Sequence, residues 1–246
     1  MNFAFMKESG CIGILGGMGP EATSCLFNLI ISNTPAATDQ EHIPVIIYNN
    51  PLIPDRTRHL VYREESPLPL LTKGAQILEN SGASVIIIAC NTAHYYIEEI
   101  LPNIHIPILN MITLTSCHIC NSLVKKGKNG KIKAGILAST GTVRSGLYQK
   151  SLEKLGAEPL LLSPQLQEEL VMEAVYGKRG IKAGFKREPK RLILQAVKIL
   201  TESGADVIIE GCTEIPLVLR DKDSPVPLVN SMEILAKEAI RTVINR

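Results

Sequence analysis

The chain has 246 residues, of which 45% are apolar and 20% charged, and its formal net charge is +2. These values are typical of a globular protein and exclude a disordered chain. The small net charge, the absence of Trp and the presence of only four Phe and six Tyr argue against nucleic-acid binding. The longest apolar run, 85–90, is far too short to span a bilayer.

The first six residues are mostly apolar, but they lack the basic-then-apolar order of a signal peptide. We therefore expect a cytoplasmic protein without a membrane segment. A disulfide framework is not expected in that compartment, so the six cysteines each need another explanation. They are Cys11, Cys25, Cys90, Cys117, Cys120 and Cys212.

Short runs rich in Ile and Val predict four strands in the first half of the chain, at 12–15, 45–48, 85–89 and 106–109. Such runs are typical of strands buried on both faces of a sheet. The segments between the runs have helical spacing, which predicts helices over 20–33, 67–80 and 93–101. Pro20 stands where a helix-opening proline is favoured.

A helix over 112–124 and a charged linker at 125–131 are predicted to lead into the second half. Strands are predicted there at 132–138, 159–162, 206–210 and 226–229. Helices are predicted at 142–155, 164–177 and 187–203, and a last helix from Asn230 to the end. Ser163-Pro164 is an N-cap and first-turn pair, and Glu233 is placed for a capping box with Asn230. Alternating strands and helices indicate parallel sheets with right-handed crossovers.

The two halves repeat each other. Gly13 to Gly19 resembles Gly135 to Gly141, and Ser81 to Cys90 resembles Ser203 to Cys212, both at an offset of 122 residues. A third block, 106–110, resembles 226–230 at an offset of 120 residues. Three blocks in one order at nearly one offset indicate a duplicated domain-sized unit rather than a solenoid. An overall length that is compatible with one domain or two therefore predicts two similar α/β domains.

The repeat places Cys90 and Cys212 at the same position, just past a buried strand and before a polar turn into a helix. Ligands bind at this edge of open α/β sheets, and a helix N-terminus there is expected to lower the thiol pKa. The small polar residues that follow each cysteine, with exposed backbone amides, can hold a carboxylate. If the halves are related by an approximate two-fold axis, the thiols face each other across a cleft. One thiolate then removes a proton from carbon while the opposite thiol returns one, which inverts a stereocentre. Two other interpretations are small buried hydrophobes and a redox pair.

Four motifs together resemble the aspartate/glutamate racemase family, and the aspartate racemase branch most. They are Gly16-Gly17-Met18-Gly19-Pro20, Asn49-Asn50-Pro51 with Pro54-Asp55-Arg56-Thr57, Cys90-Asn91-Thr92-Ala93-His94 and Gly211-Cys212-Thr213-Glu214. The resemblance extends from about Cys11 to the C-terminus. It implies a cofactor-independent racemase with two α/β domains and an active site in the cleft between them.

The resemblance also implies that the last helix packs back onto the first domain. The first domain is then 1–112 plus 229–246 and the second is 113–228, whereas the repeat alone places the boundary near 128. Cys90 and Cys212 are implied to be the catalytic acid/bases, one for each enantiomer. A homodimer is also implied.

Further residues are carried over from the family motif by motif. Met18, in the first glycine-rich turn, is implied to lie near the substrate. The α-carboxylate and amino group of the substrate are implied to contact Asn91, Thr92 and Thr213. Two threonines in the turn equivalent to 17–19 are implied to assist, namely Thr140 and Thr142.

The side-chain carboxylate of the substrate is implied to pair with Arg56, whose planar guanidinium suits a carboxylate. Lys182 is implied to be the second cation for that carboxylate. Glu214 either tunes the neighbouring thiol or contacts the amino group. Without pyridoxal phosphate (PLP), the site must raise the acidity of the α-proton through hydrogen bonds to the developing negative charge.

Two other motifs receive a structural interpretation. Gly17-x-Gly19-x-x-Ala22 fits the dinucleotide fingerprint loosely, but the next strand ends in Tyr48-Asn49-Asn50 without an acidic residue, so we expect a tight turn and no NAD. Cys117 and Cys120 form a CxxC pair without a second pair at zinc-like spacing. They are expected to pack in a helix, and no metal or cofactor is expected.

The remaining features are expected to support the site rather than form it. His94, on the first turn after Cys90, is expected to cap or pack, although it could polarise the site. The basic run 178–191 is expected to be a solvated helix face, with Lys182 as the exception. The proline-rich stretch 51–69 around Arg56 is expected to be a semi-rigid loop over the site.

The sequence therefore predicts a PLP-independent isomerase that interconverts L- and D-aspartate by proton transfer between two cysteines. Its expected partner is a small dicarboxylic amino acid, with no nucleic acid and no membrane. Racemisation of glutamate or of both acids remains open, as do decarboxylation and maleate isomerisation. A non-catalytic carboxylate-binding protein and a redox protein that uses Cys117 and Cys120 are the alternatives from other classes.

Overall fold

A computed structural model of the protein describes residues 10–123 and 131–244. In the first half, three strands form a parallel sheet in the order β2-β1-β3, and they are β1 (Ile12–Gly16), β2 (Val45–Asn49) and β3 (Val85–Ile88). Ile12 at the start of β1 lies opposite Val45 of β2 and Val85 of β3. The sheet is parallel, as the sequence predicts.

The strand predicted at 106–109 is reduced to one isolated parallel bridge, between Ile108 and Ile86. Two backbone hydrogen bonds hold it, from the Ile86 amide to the Pro107 carbonyl and from the Leu109 amide to the Ile86 carbonyl, both of 2.9 Å. The segment lies where a fourth strand belongs. A single bridge is too short to count as a strand, so this part of the prediction is only partly right.

The second half forms a four-stranded parallel sheet in the order β5-β4-β6-β7. Its strands are β4 (Lys133–Leu137), β5 (Glu158–Leu160), β6 (Val207–Glu210) and β7 (Leu228–Asn230). Ile208 lies opposite Leu228 and donates to the Pro227 carbonyl at 3.0 Å, as Ile86 does to Pro107. The two sheets therefore repeat one topology, and only the second completes its fourth strand.

The helices of the first half are α1 (Pro20–Asn33), α2 (Arg56–Tyr62), α3 (Leu68–Asn80), α4 (Ile97–Ile100) and α5 (Met111–Leu123). α1, α3 and α5 follow the predictions closely. The predicted helix at 93–101 begins as a 3₁₀ helix, Thr92–Tyr96, and continues as α4. The proline-rich stretch was expected to be a loop but contains α2, which Asp55 caps by accepting the Arg58 amide at 2.8 Å.

The second half contains α6 (Thr140–Ser145), α7 (Leu147–Lys154), α8 (Pro164–Leu166), α9 (Glu173–Tyr176), α10 (Arg187–Glu202) and α11 (Ser231–Ile244). The predicted helix at 142–155 is divided at Gly146, whose φ of 70° interrupts it. The predicted helix at 164–177 contains a π-helical segment, Gln167–Met172, between α8 and α9. Ser163 caps it as predicted, by accepting the Leu166 amide.

Two equivalent helices are exchanged between the halves. Met232, Leu235 and Ala239 of α11 are buried against β1, β3 and α1 of the first half. Ile112 and Ile119 of α5 are buried against β4, β6 and α7 of the second half. The end of each half thus packs on the other sheet. The division into 1–112 plus 229–246 and 113–228 describes this exchange, and we retain those boundaries as a proposal.

The fold is therefore α/β with two parallel sheets. The predicted charged linker lies outside the described residues except for Lys131. Among the helices that the structure describes, none is both long and apolar enough to cross a membrane.

Candidate active site

The two cysteines singled out from the repeat lie at equivalent points of the two sheets. Cys90 is two residues beyond β3 and Cys212 is two residues beyond β6. Each residue is only 6% exposed. Both follow the carboxyl ends of parallel strands, which is the edge where ligands bind in α/β folds. The equivalent positions predicted from the sequence are confirmed.

The expected lowering of the thiol pKa is wrong for Cys212. Only a short 3₁₀ helix, Ile215–Leu217, follows this residue. Burial raises the pKa of the Cys212 thiol well above its usual value, and the Glu214 carboxylate raises it further, although Lys182 opposes the effect. Cys212 is therefore protonated at neutral pH, because desolvation disfavours a buried thiolate.

Glu214 links the Cys212 thiol to a cation. Its Oε2 accepts hydrogen bonds from Cys212 Sγ and Thr213 Oγ1, both at 3.1 Å. Its Oε1 accepts from Lys182 Nζ at 2.5 Å. Glu214 is only 4% exposed, so this ion pair is shielded from water. The carboxylate is placed to accept a proton from the thiol, which agrees with the first of its two sequence-based roles.

Arg56 is buried at the first residue of α2, and backbone carbonyls hold its guanidinium. Nη1 donates to Ile53 O at 3.2 Å and to Pro54 O at 3.0 Å, and Nη2 donates to Met18 O at 3.1 Å. Its buried Nε has no hydrogen-bond partner among the described residues. Burial alone would lower the pKa of Arg56, but interactions with groups that include Cys90 raise it above its usual value. Arg56 is therefore the cation associated with the first thiol.

Lys182 converges on the same carbonyl as Arg56. Its Nζ donates to Met18 O at 3.1 Å and lies 5.3 Å from the centre of the Tyr176 ring. Burial opposes its charge, but Glu214, and after it Cys212 and Cys90, raise the pKa of Lys182 above its usual value. One ammonium group thus interacts with both thiols.

A cleft of about 610 Å³ opens beside these charged groups. It is lined by the first glycine-rich turn, by the start of α1, by the segment before α2, and by Lys182 and Glu214. Of the residues implicated by the sequence, the structure gathers four on this cleft, namely Met18, Arg56, Lys182 and Glu214. Neither cysteine is among the described residues that line it, and both are buried.

Buried hydroxyl groups join the two halves behind the cleft. Thr92 Oγ1 lies 2.8 Å from Thr142 Oγ1 and 3.0 Å from Ser139 Oγ. Thr57 of α2 donates to Ser139 Oγ at 3.5 Å. Gly141 permits this approach, since a Cβ there would lie 2.8 Å from the Thr57 Cα. The hydroxyl groups of two residues from each half therefore meet here, namely Thr57 and Thr92 with Ser139 and Thr142.

Two residues implied to bind substrate make other contacts through their side chains. Asn91 accepts a hydrogen bond from Tyr148 Oη at 2.6 Å and donates to Ser231 Oγ at 3.3 Å. Thr140 Oγ1 donates to Glu168 Oε1 at 2.6 Å, and Thr140 lines a separate cavity of about 250 Å³ that shares Asp55 with the cleft. Both side chains therefore have partners within the protein. The backbone amide of Asn91 directly follows Cys90, and that of Thr140 lies three residues after Leu137, the last residue of β4.

His94 packs rather than facing the cleft, as expected. Its Nδ1 is 2.8 Å from the Cys90 carbonyl oxygen, and burial lowers the pKa of the ring to about 4. It is therefore neutral at physiological pH. Its contact with Cys90 is through the backbone, so it supports the turn that carries the thiol.

Only the last part of the basic run, 187–191, lies in an α-helix, at the start of α10, so the predicted solvated helix face is only partly right. Lys186 pairs with Glu21 at 2.6 Å and Lys190 with Asp223 at 2.6 Å. Lys182 is the residue of this run that lines the cleft, and the sequence analysis likewise sets it apart from the solvated residues. Glu21 also lines the cleft, so the Lys186 pair lies at its rim.

The sequence analysis assigned no role to four residues that contact the implicated ones or each other in the structure. Ser139 had a usable signal, since it stands at the position equivalent to Gly17 in the repeat. Thr57 directly follows Arg56 but lies in the stretch expected to be a loop. Tyr148 and Tyr176 had no signal, because only tertiary contacts bring them to Asn91 and Lys182.

Within 10–123 and 131–244, no group of three or more His, Cys, Asp or Glu side chains could hold a metal ion. The site instead consists of two thiols, two cations, one carboxylate and hydroxyl groups. Each of the two similar parallel-sheet halves thus carries a cysteine just past the carboxyl end of a strand.

The chain belongs to the Asp/Glu/hydantoin racemase family, whose model matches residues 15–239. It is 29% identical over 239 residues to the broad specificity amino-acid racemase RacX of Bacillus subtilis (strain 168), covering 95% of this chain and 98% of that protein. It is 28% identical over 166 residues to the glutamate racemase of Aquifex pyrophilus, covering 66% of this chain but only 59% of that enzyme.

The fold is similar to that of the Picrophilus torridus aspartate racemase. The TM-score is 0.78 at 28% sequence identity, over 95% of this chain and 94% of that one. The resemblance to the racemase family is thereby confirmed, and the protein is an isomerase of the racemase class.

Proposed function

We propose that this racemase interconverts L- and D-aspartate without PLP, with Cys90 and Cys212 as its two acid/base groups. One observation carries the choice of substrate. Arg56 and Lys182 donate to a single atom, the Met18 carbonyl oxygen, at 3.1 Å each. Two cations that converge on one point beside the cleft suit the second carboxylate of a dicarboxylic amino acid.

Charge balance supports the same substrate class. Arg56 and Lys182 place two positive charges at the cleft. Aspartate carries two carboxylates and one ammonium group, and therefore one net negative charge at neutral pH. The two cations offset the carboxylates of such a substrate, which lowers the cost of placing it in a shielded cleft.

The proposed reaction is one proton transfer on each face of the α-carbon. For one enantiomer the Cys90 thiolate removes the α-proton, so that a C–H bond breaks and an S–H bond forms. The electron pair stays on the substrate, and the Cys212 thiol donates its proton to the opposite face. The reverse reaction needs Cys212 as the thiolate and Cys90 as the thiol. The Cys212 proton therefore passes to Glu214, whose carboxylate lies 3.1 Å from the Cys212 Sγ, and Cys90 takes up a proton from solvent.

The α-proton must become acidic enough for a thiolate to remove it. Hydrogen bonds to the charge that develops on the α-carboxylate provide the means. The hydroxyl groups of Thr92, Thr142 and Thr213 are buried near the thiols and are our candidates as donors. The amides that follow Cys90 and Cys212 are candidates as well, since the Asn91 side chain has other partners.

Broader specificity is the second candidate. The relative that matches nearly the whole chain is a broad specificity amino-acid racemase. The side chain of Lys182 is 25% exposed, so its ammonium group has room to follow side chains of different length. Glutamate is therefore to be tested beside aspartate, together with neutral amino acids.

The decisive experiment is incubation of the pure protein with L-aspartate in D₂O without added PLP. We expect D-aspartate to accumulate with deuterium at the α-carbon. Cys90→Ala and Cys212→Ala should each abolish racemisation, since each thiol is needed in both directions. Cys117→Ala, a partly buried cysteine outside the cleft, is the matched control and should retain full activity.

Different outcomes remove different parts of the proposal. Absence of α-exchange with every amino acid tested would favour a carboxylate-binding protein. Racemisation that survives in both single cysteine variants would exclude the two-thiol mechanism. Arg56→Ala should impair use of aspartate far more than use of alanine, and equal losses on both would exclude its role at the side-chain carboxylate.

A homodimer is part of the proposal and rests on the family resemblance. A dimer of the 26.8 kDa chain has a mass of about 54 kDa, which is twice that value. Light scattering coupled to size-exclusion chromatography tests it, and a mass near 27 kDa would exclude it.

A further inference from the structure

A chain of hydrogen bonds connects the loops that carry the two cysteines. Tyr148 Oη donates to Asn91 Oδ1 at 2.6 Å, and Asn91 Nδ2 donates to Ser231 Oγ at 3.3 Å. Ser231 Oγ in turn donates to the Glu210 carbonyl at 2.9 Å. Asn91 directly follows Cys90, and Glu210 lies two residues before Cys212. The chain therefore runs from one thiol loop to the other.

Tyr148 contacts both loops with one side chain. Besides donating to Asn91, its ring packs on Gly211, the residue before Cys212. A Cβ at Gly211 would lie 3.0 Å from the Tyr148 Cε2 atom, so only glycine lets the ring rest on this backbone without a shift. Tyr148 is fully buried, and burial raises the pKa of its hydroxyl above the usual value. The hydroxyl thus remains a proton donor to Asn91 at any pH where the protein works.

The first half lacks the equivalent chain. At the offset of 122 residues, Tyr148 corresponds to Leu26 and Asn91 corresponds to Thr213. At the offset of 120 residues that relates the last helices, Ser231 corresponds to Met111. Leu26 and Met111 are buried apolar residues in the core of the first half. Polar residues therefore stand together at one contact between the halves, where the repeat alone would leave apolar packing.

Stability alone does not explain why these polar side chains are buried. Each hydrogen bond contributes little net stability over apolar packing, but a satisfied network fixes one geometry. Proton transfer to opposite faces of one carbon atom requires two thiols at a fixed separation. A displacement of about 1 Å costs such a reaction roughly a hundredfold in rate.

We propose that Tyr148 is a positioning residue, which sets the separation of Cys90 and Cys212 by holding the Asn91 carboxamide and the Gly211 backbone. The inference rests on the proposed racemisation by these two thiols. Asn91 then serves the site through its backbone and its link to Tyr148, rather than through a side-chain bond to substrate. Ser231 completes the link by tying the other end of the carboxamide to the Glu210 carbonyl.

The test compares Tyr148→Phe with Tyr96→Phe. Tyr96 is also buried, but its hydroxyl has no hydrogen-bond partner among the described residues, so its removal controls for loss of a buried hydroxyl. For Tyr148→Phe we expect kcat on aspartate to fall about tenfold or more, as a displaced thiol predicts, with KM changed less than twofold. Tyr96→Phe should match the wild type in both constants.

Isotope exchange separates positioning from stability. If the opposite thiol does not reach the carbanion, the thiol that removed the proton exchanges with D₂O and returns a deuteron to the same face. L-aspartate is then recovered with deuterium at the α-carbon. The amount of this deuterated L-aspartate, divided by the amount of D-aspartate formed, should therefore rise severalfold in Tyr148→Phe. A smaller folded fraction lowers both quantities together and leaves their ratio unchanged.

Three outcomes would overturn the proposal. An unchanged ratio in Tyr148→Phe, whatever its kcat, would reduce Tyr148 to a stabilising residue. Where Tyr148→Phe does not fold, Ser231→Ala replaces it and must raise the same ratio, and failure to do so overturns the proposal. A wild-type protein that racemises no amino acid would overturn the proposed function. If the wild type is active and Tyr148→Phe has the same kinetic constants and the same ratio, only the positioning role of Tyr148 is overturned.

Discussion

Cys90 and Cys212 follow equivalent strands, but the charged groups beside them have opposite signs. The Arg56 guanidinium interacts with Cys90, whereas the Glu214 carboxylate accepts a hydrogen bond from Cys212. A cation favours a thiolate and an anion favours a thiol. Gene duplication thus explains why two thiols occupy matching positions. The residues around the two cysteines differ, so the two thiols have different charged neighbours.

The largest expected difference between the halves is in their response to pH. Glu210 ends β6, at the position that Ile88 occupies in β3, and burial holds the pKa of its carboxyl at about 8. Because the folded pKa is raised, stability is full below the usual carboxyl pKa and is lost as pH rises through about 8. The loss is at most about 5 kcal/mol.

Urea unfolding of the wild type and of Glu210→Gln between pH 5 and pH 9 measures this loss. The difference in stability between the two proteins should shift in favour of the variant as pH rises. Glu98→Gln, an exposed residue of α4, is the control and should follow the wild type. A constant difference between Glu210→Gln and wild type across this range would contradict the prediction.

The second prediction concerns the charge beside Cys212. Glu214→Gln should lower kcat/KM roughly a hundredfold, because it removes the proposed proton acceptor of the thiol. The loss must be equal for L- and D-aspartate, since the equilibrium constant of racemisation is one. Removal of the anion also lowers the pKa of Cys212, so alkylation of this thiol by iodoacetamide should shift to lower pH.

Glu233→Gln is the matched control for Glu214→Gln. Glu233 pairs with Lys237 at 2.6 Å on the surface of α11, so its removal should leave kcat/KM unchanged. Mass spectrometry of the Cys212 peptide follows the alkylation. An unshifted alkylation profile in Glu214→Gln would show that the carboxylate does not act on the thiol.

The third prediction uses two equivalent glycines with different neighbours. A Cβ on Gly141 would lie 2.7 Å from Thr57 Oγ1 and 2.8 Å from Thr57 Cα, so backbone must move. A Cβ on Gly19 would meet only side-chain ends, Glu214 Oε1 at 3.2 Å and Lys182 Nζ at 3.5 Å. We expect Gly141→Ala to cost about 1–3 kcal/mol of unfolding free energy.

Gly19→Ala should cost less stability than Gly141→Ala, because flexible side chains give way more easily than backbone. It should nevertheless reduce activity, since those side chains are the proposed ion pair of the cleft. Thermal unfolding and aspartate racemisation measure the two effects. A lower Tm for Gly19→Ala than for Gly141→Ala would be the opposite of what the structure implies.

The smallest prediction is a case where the halves should agree. Asn110 Oδ1 accepts the Ile112 and Thr113 amides at the start of α5, and Asn230 Oδ1 accepts the corresponding amides of α11. Asn110→Ala and Asn230→Ala should each cost about 1 kcal/mol. Each should lower Tm by about 2–4 °C. Clearly unequal shifts would show that the exchanged helices are not equivalent.

Much of the fold follows from local residue patterns that can be recognised in the sequence. Runs of Ile and Val mark strands buried on both faces, and five of the seven observed strands match predicted runs closely, whereas β5 and β7 each overlap their runs by two residues. β5 is shorter than its prediction, and the strand at 106–109 is reduced to one bridge at Ile108. The length of a pairing depends on its neighbour, which a local pattern does not contain.

The helices show the same division between local and distant causes. α1 and α3 have clear apolar periodicity and proline near their first residues, so both were predictable. α2 was missed because prolines surround it, although Asp55 at its N-cap was a usable signal. The π-helical segment 167–172 could not be predicted, since its Gln167 and Glu168 reach Thr140 through contacts between distant parts of the chain.

The sequence by itself determined the duplication, the alternation of strands and helices, and the paired cysteines at the ligand-binding edge. These depend on residue order within short segments, and residue order is visible without a structure. Only the tertiary structure decided what each thiol faces. Glu214 reaches both Cys212 and Lys182, Arg56 turns its guanidinium to Met18, and Tyr148 bridges the two loops. Burial and charge act through space, so residues far apart in the chain determine the surroundings of each thiol.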